Sequence, residues 1–450
     1  WSKVSDYIDK NLDKAMVELK ELCAQPSVAA QGLGMAECAE LVRRLLERRG
    51  IKAELLPTKG YPVVFGFGQG RAQKTLIFYN HYDVQPPEPL ELWESPPFSP
   101  QVRDGKFYAR GASDDKGHII SRLFALDAVL AALGELPCNV KFVIEGEEEI
   151  GSPNLEEFIL ANRERLRGDA CIWESGRVNF AGQPVVTLGM RGICYVELKV
   201  RTARIDAHSG LGGSIFPNAA WRLVWALSTL KDPEERVKIP GFYEQAKPPT
   251  AKDLELLAGL PDESEKLKEA YGLKGFLKGL SGLELRRAAV FEPTCTICGL
   301  SSGYQGPGTK TVLPAEAKAK VDFRLVPEQD PLDIFEKLKA HLKAEGFSDV
   351  EVELLSAEHP ARVDPDDPFV KLTVQAAKEV YGKDPVVHPL IGGSGPMYPF
   401  VTYLKVPVGV SGVGYPGNQV HAPNEHIRLN DFVLGTKHTA RVLLRFAGLV

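Results

Sequence analysis

The sequence predicts an α/β protein: a doubly wound, mostly parallel sheet interrupted by a smaller α+β domain. Three observations carry this expectation. The runs Thr75–Asn80, Val140–Gly146, Asp169–Glu174 and Val406–Val413 are nearly continuously apolar, the pattern of strands covered by helices on both faces of a parallel sheet. Helical periodicity lies between them. The middle of the chain instead alternates apolar with charged residues, the mark of strands with one wet face.

The elements follow in order. In Met35–Arg49, residues Met35, Cys38, Val42, Leu45 and Leu46 share one helical face and Gly50 supplies the stop. Gly117–Leu133 is apolar almost all round, so a buried helix is expected. The alternating strands are Val196–Arg201, Ala317–Leu325 and Val350–Leu354, with helices expected near Asn218–Leu230 and Pro331–Glu345. The polar, proline-bearing stretch Pro233–Lys278 reads as an insertion in this domain. Phe369–Tyr381 and Val406–Val413 belong to a return into the first domain. The expected organisation is a catalytic domain over residues 1–190 and 363–450, with a lid over 191–362.

Bulk properties exclude several classes of function. The 450 residues are 44% hydrophobic and 25% charged, an ordinary globular balance. The 54 basic and 59 acidic residues are well mixed and leave a net charge of -5, no footprint for nucleic acid or an anionic membrane. No apolar run approaches bilayer length, and the first residues lack a signal-peptide pattern. Seven scattered cysteines fit a reducing compartment, so a cytoplasmic protein is expected. Cys295 and Cys298 stand three apart in an extended stretch with no second pair, and are expected to be two buried structural thiols.

The informative feature is where histidines and carboxylates fall. In open parallel sheets, ligands bind just past the carboxyl ends of the strands. Thr75–Asn80 delivers His81 and Asp83, which point the same way on an extended chain, so the aspartate can orient a metal-binding imidazole. Asp114 and Asp115 head the buried helix. Val140–Gly146 runs into Glu147-Glu148-Glu149, where neighbouring carboxylates can divide metal binding from proton transfer. Asp169–Glu174 ends on Glu174, and Val406–Val413 leads into a glycine-rich loop presenting His421. Each alone has a bland reading, as a loop histidine, a helix cap or a solvated acidic run. Together, His81, Asp114, Glu149, Glu174 and His421 form a histidine–carboxylate set that suits zinc, cobalt or manganese. Five ligands exceed the needs of one tetrahedral ion, so two metals sharing a carboxylate is the economical solution.

The motifs H-x-D-V-x-P at His81, R-G-x-x-D-D-K-G at Arg110, E-G-x-E-E-x-G-S at Glu145 and the late His421 occur in an order and spacing that resemble the carnosinase, aminoacylase and glutamate-carboxypeptidase superfamily of dinuclear zinc peptidases. The lid motifs Leu188–Tyr195, Ala207–Gly210, Pro307–Pro314 and Phe323–Pro327 are similar to the carnosinase or cytosolic dipeptidase branch. The resemblance implies that Asp114 bridges two metals, with His81 and Glu174 on one and Glu149 and His421 on the other. It further implies Glu148 as general base, Asp83 supporting His81, and a cis Asp114–Asp115 peptide. His208 would stabilise the tetrahedral intermediate in a neighbouring subunit of a homodimer formed through the lid. Arg324, Thr311 and Ser394 would bind the substrate carboxylate. From the residues alone, Arg324 and His208 would be called a solvated charge and a loop histidine.

Two departures bear on the substrate. Position 174 is Glu where the dipeptidase branch usually has Asp, and Leu390-Ile391-Gly392-Gly393-Ser394 lacks the arginine of R-E-G-G-S. The activity that the resemblance implies is hydrolysis of dipeptides or short peptides with a free carboxylate. Carboxypeptidase and N-acyl-amino-acid deacylase activities are the alternatives on the same site, and a non-catalytic metal- or peptide-binding relative is the alternative of another class. A nucleotide-binding oxidoreductase, suggested by Gly66-Phe67-Gly68-Gln69-Gly70, fails because the next element is a strand where that fingerprint needs a helix. A β-hairpin turn is expected there.

Overall fold

The computed structural model describes residues 1–450. Two compact units divide the chain: Trp1–Leu188, Val363–His388 and Pro399–Val450 form the first, and Gly189–Arg362 with Pro389–Tyr398 form the second. No helix is long and apolar enough to cross a membrane.

The first unit is built on a six-stranded sheet in the order Lys52–Leu56, Val63–Gly68, Cys138–Glu145, Ala72–His81, Ala170–Ile172, Val408–Gly409. The last four strands are parallel, and the first two form an antiparallel edge. Apolar runs at these positions are explained by burial on both faces. Leu76, Phe78, Val140, Phe142 and Ile172 are in the core with residues of the helices Met35–Glu47, Lys116–Leu133 and Leu429–Phe446. Lys116–Leu133 is buried along nearly its whole length before Gly134 ends it with a φ of 80°. Its Ile119, Ile120, Leu123, Phe124 and Leu126 are all buried, each contributing about 1.5–3 kcal/mol of burial free energy.

One expectation about this sheet is corrected. Gly66–Gly70 is not a hairpin turn: Val63–Gly68 and Ala72–His81 do not pair, because Cys138–Glu145 lies between them. The glycines serve close packing instead. A Cβ on Gly70 would stand 2.1 Å from the Cys138 carbonyl oxygen, so only glycine lets the chain cross that strand.

The second unit carries a four-stranded antiparallel sheet in the order Thr296–Ser302, Glu316–Leu325, Gly192–Arg201, Glu351–Glu358. Cys194, Val196, Leu198 and Val200 alternate into a core with Ala317, Ala319, Val321, Phe323 and Leu325, and this core includes residues of the helices Ala219–Ser228 and Pro331–Ala344. Asn218 and Asp330 cap those helices through their side chains.

Within Pro233–Lys278, Val237, Ile239 and Phe242 are buried in the unit's core. One reading of this unit changes, because the two thiols are not both buried: Cys295 is, whereas Cys298 is exposed. Residues three apart on a strand face opposite sides, and a sheet with helices on one side leaves one of the two outside.

Candidate metal centre

The carboxyl ends of the parallel strands bring His81, Asp83, Asp114, Glu148, Glu149, Glu174 and His421 together in the first unit. His81 is the last residue of its strand, opposite Glu145 in register. Its Nδ1–H donates to the Asp83 carbonyl oxygen at 3.0 Å, with the Asp83 carboxylate at 3.3 Å. That fixes the ring orientation and aims Nε2 at Asp114 Oδ1, 3.1 Å away. The Asp83 carboxylate also accepts the backbone N–H groups of Glu148 and Glu149 at 3.2 and 2.9 Å, so one buried aspartate sets both strand ends.

Asp114 stands between two imidazoles. Its Oδ2 is 3.0 Å from His421 Nε2, while Oδ1 faces His81. The same His421 nitrogen lies 3.2 Å from Glu149 Oε2. Glu174 Oε2 is 3.9 Å and Glu148 Oε2 3.8 Å from His81 Nε2. His421 holds a left-handed backbone, φ 61°, a conformation that residues with a Cβ adopt only where the surroundings require it.

Electrostatics in this cluster are dominated by crowded carboxylates. Burial opposes a charge on His81, yet Glu148, Asp114 and Asp83 together hold its pKa well above the ordinary value. Hydrogen bonds to Asp114 and Glu149 push His421 up to about 10. Burial raises Glu148 well above the usual carboxylate range; His81 opposes that, and Asp114 and Glu149 add to it. Glu174 is raised well above that range too, by burial and then by Glu148.

The residues present fit divalent ions. Glu149 Oε1 and Glu174 Oε2 are buried without a hydrogen-bond partner, which is costly for a charged group unless a cation faces it. His81, Asp114 and Glu149 each offer a ligand atom within 4.8 Å of the others. The donor set is imidazole and carboxylate with no thiolate, as suits a hydrolytic zinc, cobalt or manganese site.

Several supporting residues were not singled out from the sequence. Glu425, 1% exposed, accepts the N–H groups of Gly111, Ser113 and Asp114 at 2.9–3.0 Å and an Arg110 guanidinium N–H at 2.8 Å. Asp115 Oδ2 accepts the His81 N–H and the Asn80 amide. The peptide between Asp114 and Asp115 is cis, as the resemblance implied. His118 Nδ1–H donates to the Ser113 carbonyl while Nε2 accepts the N–H groups of Gly176 and Val413. The buried Arg122 guanidinium donates to the carbonyls of Trp173, Glu174 and Ser411. Gly176 and Gly412 cross so closely that a Cβ on Gly412 would stand 2.2 Å from the Gly176 nitrogen, which lets both loops reach His118. Gln85 donates to Glu149 Oε2 at 2.8 Å. A buried acid whose partners lie more than 300 positions away leaves no local signal.

The other candidates lie in the second unit as two pairs. His208 is exposed; its Nδ1 accepts the Gly210 N–H at 2.9 Å and its Nε2 lies 3.5 Å from Thr311 Oγ1. Arg324 donates from Nη1 to Ser394 Oγ at 2.8 Å, with Asp322 at 3.4 Å from Nε. The cross-strand neighbour of Arg324 is Ile193, which in turn pairs with Glu358.

Comparison with known proteins places this geometry among peptidases. Residues 77–445 match the model of peptidase family M20/M25/M40. The chain is 30% identical to a Cys-Gly metallodipeptidase of Schizosaccharomyces pombe over 97% of its own length and 96% of that protein. Among solved structures, an M20 family metallo-carboxypeptidase from Sulfolobus solfataricus superposes with a TM-score of 0.91 at 40% identity, covering 97% of this chain and 99% of that one. Human carnosine dipeptidase 1 superposes with a TM-score of 0.80 at 27% identity, over the whole of both chains.

Proposed function

Because the chain belongs to peptidase family M20/M25/M40, and is a metal-dependent hydrolase of that type, we propose that it cleaves the amide bond of dipeptides or short peptides that carry a free carboxylate. The observation that supports this most directly is the Asp114 carboxylate set between two histidines, at 3.1 and 3.0 Å, with partnerless glutamate oxygens beside it. His81 and Glu174 would hold one divalent ion, Glu149 and His421 a second, and Asp114 both. Zinc is the first choice, with manganese or cobalt able to use the same donors.

Bound there, the ions would lower the pKa of a water and polarise the scissile carbonyl. Glu148 takes the proton from that water. It holds that proton until the leaving amine needs it. Asp83 keeps His81 in the tautomer whose Nε2 lone pair is free for metal. In the second unit, Arg324, Ser394 and Thr311 take the substrate carboxylate, and His208 donates to the developing oxyanion.

The His208 role calls for a homodimer through the lid. Support comes from the second unit's exposed apolar surface: Trp221 and Trp225, 57% and 53% exposed, stack at 5.7 Å on one helix, and Thr296–Ser302 is an edge strand with Ile297 and Leu300 exposed. Seven unpaired cysteines support a reducing, cytoplasmic location.

Carboxypeptidase action on longer peptides is the second reading, favoured by the 40% identity to a metallo-carboxypeptidase. Free dipeptides, N-blocked dipeptides, longer peptides and N-acetyl amino acids, assayed with zinc and with manganese, separate the readings. Cleavage of free dipeptides above the blocked and longer substrates is expected. Cleavage confined to N-acetyl amino acids would make the protein a deacylase, and none at all with metal bound would make it a binding relative.

A further inference from the structure

The buried arginine Arg191 lies outside every role assigned so far, yet it bonds to the main chain of Arg324 and to that of Gly393, the residue before Ser394. Only 4% exposed, it makes no ion pair. Its guanidinium is spent on backbone: Nη1 donates to the Ala289 carbonyl at 3.3 Å, and Nη2 donates to those of Glu292 and Arg324 at 2.7 and 3.2 Å. Its own N–H donates to the Gly393 carbonyl at 2.9 Å. Two residues earlier, the Gly189 carbonyl accepts the Ile391 N–H at 3.0 Å, so 391–393 lies alongside 189–191.

The consequence is geometric. The Arg191 side chain holds the main chain of Arg324, and its backbone holds the residue before Ser394. Arg324 Nη1 meets Ser394 Oγ at 2.8 Å from two segments far apart in the chain, and a single residue bonds to both. The same guanidinium holds the end of the helix Gly282–Phe291 through Ala289 and, just beyond it, Glu292. Thr294 adds a second donor to the Arg324 carbonyl at 3.0 Å. Burying a cation with no carboxylate partner is expensive, and a residue kept only for packing would be an apolar one. The planar guanidinium is the side chain whose fork reaches several carbonyls at once.

We propose that Arg191 is a positioning residue for carboxylate recognition: it sets the spacing of Arg324 and Ser394 without touching the substrate. This rests on the reading that Arg324 and Ser394 take the substrate carboxylate, and the test keeps the two claims apart. The measurement is kcat/KM for a peptide with a free carboxylate divided by that for its C-terminal carboxamide, in wild type, Arg191→Met, Arg191→Lys and Arg324→Ala, all metal-loaded. Misplacing a binding group by about 1 Å costs up to roughly a hundredfold. Arg191→Met should therefore lower the acid-over-amide preference by about ten- to a hundredfold, chiefly through KM for the acid. Arg191→Lys, which keeps a charged donor for some of the carbonyls, should restore part of it and serves as the probe where the methionine variant does not fold. An equal loss on both substrates in the Arg191 variants would mean a merely structural arginine and would overturn the proposal. A preference left intact in Arg324→Ala would instead remove the carboxylate reading beneath it.

Discussion

The two sheets handle charge in opposite ways. In the first unit, ionisable side chains sit at the ends of strands covered on both faces, and buried groups hold several of the segments that carry them: Asp114 through Glu425, His81 through Asp83 and Asp115, the Glu174 loop through Arg122. In the second unit, Arg324 and His208 stand on or beside a sheet with one open face, with few side-chain partners of their own. A preset array of dipoles belongs where charge develops, since it needs no reorganisation during reaction. A substrate-binding surface can be left open, provided the backbone beneath it is fixed.

This contrast can be broken at its strongest point first. Glu425→Ala would leave Arg110 without its carboxylate and three N–H groups unpaired inside the first unit, and should cost about 3–5 kcal/mol of stability, read by urea unfolding of the metal-free chain. A change near zero would mean the Asp114 turn holds itself. Asp83→Asn should leave the fold intact and weaken metal affinity by roughly 10- to 100-fold, measured by competition with a chromogenic chelator. In the second unit, Thr311→Val, which removes only the hydroxyl beside His208, should alter turnover with metal affinity unchanged. An altered metal affinity would show that the two sets of residues are not separate in function.

A further test of the first unit concerns acid. Burial depresses His438 to about 4, against about 6.5 in an unfolded chain. The folded state therefore holds it neutral, and its contribution is fully present above pH 6.5 and lost as pH falls toward 4. The stability gap between wild type and His438→Gln, measured without metal, should narrow across that window. A gap independent of pH would show that His438 does not titrate on unfolding.

How much of this was legible in the sequence follows from the same contrast. His81, Glu149 and Glu174 are readable because apolar strands aim them at one sheet edge, where strand ends collect ligands. The alternating strands of the second unit were equally plain. Glu425, His118 and Arg122 were not, because each acts on backbone groups brought near only by folding. The Gly66–Gly70 segment looked like a turn since its glycines imply tightness, but periodicity says nothing of which strand inserts beside another. Cys298 shows the limit of local reasoning: two buried thiols are expected from the sequence, but a spacing of three along extended chain turns one of them to the sheet's bare face. Arg324 looked like any charge on a wet strand, and what sets it apart is a hydrogen bond to Ser394, 70 positions away.

The central claim is that one carboxylate, Asp114, is shared by two metal ions. Metal content per chain, measured after loading with zinc and gel filtration, tests it most directly. Wild type should retain two ions, His421→Ala one, and Asp114→Asn neither at full occupancy. One ion in the wild type, or two retained in Asp114→Asn, would contradict it.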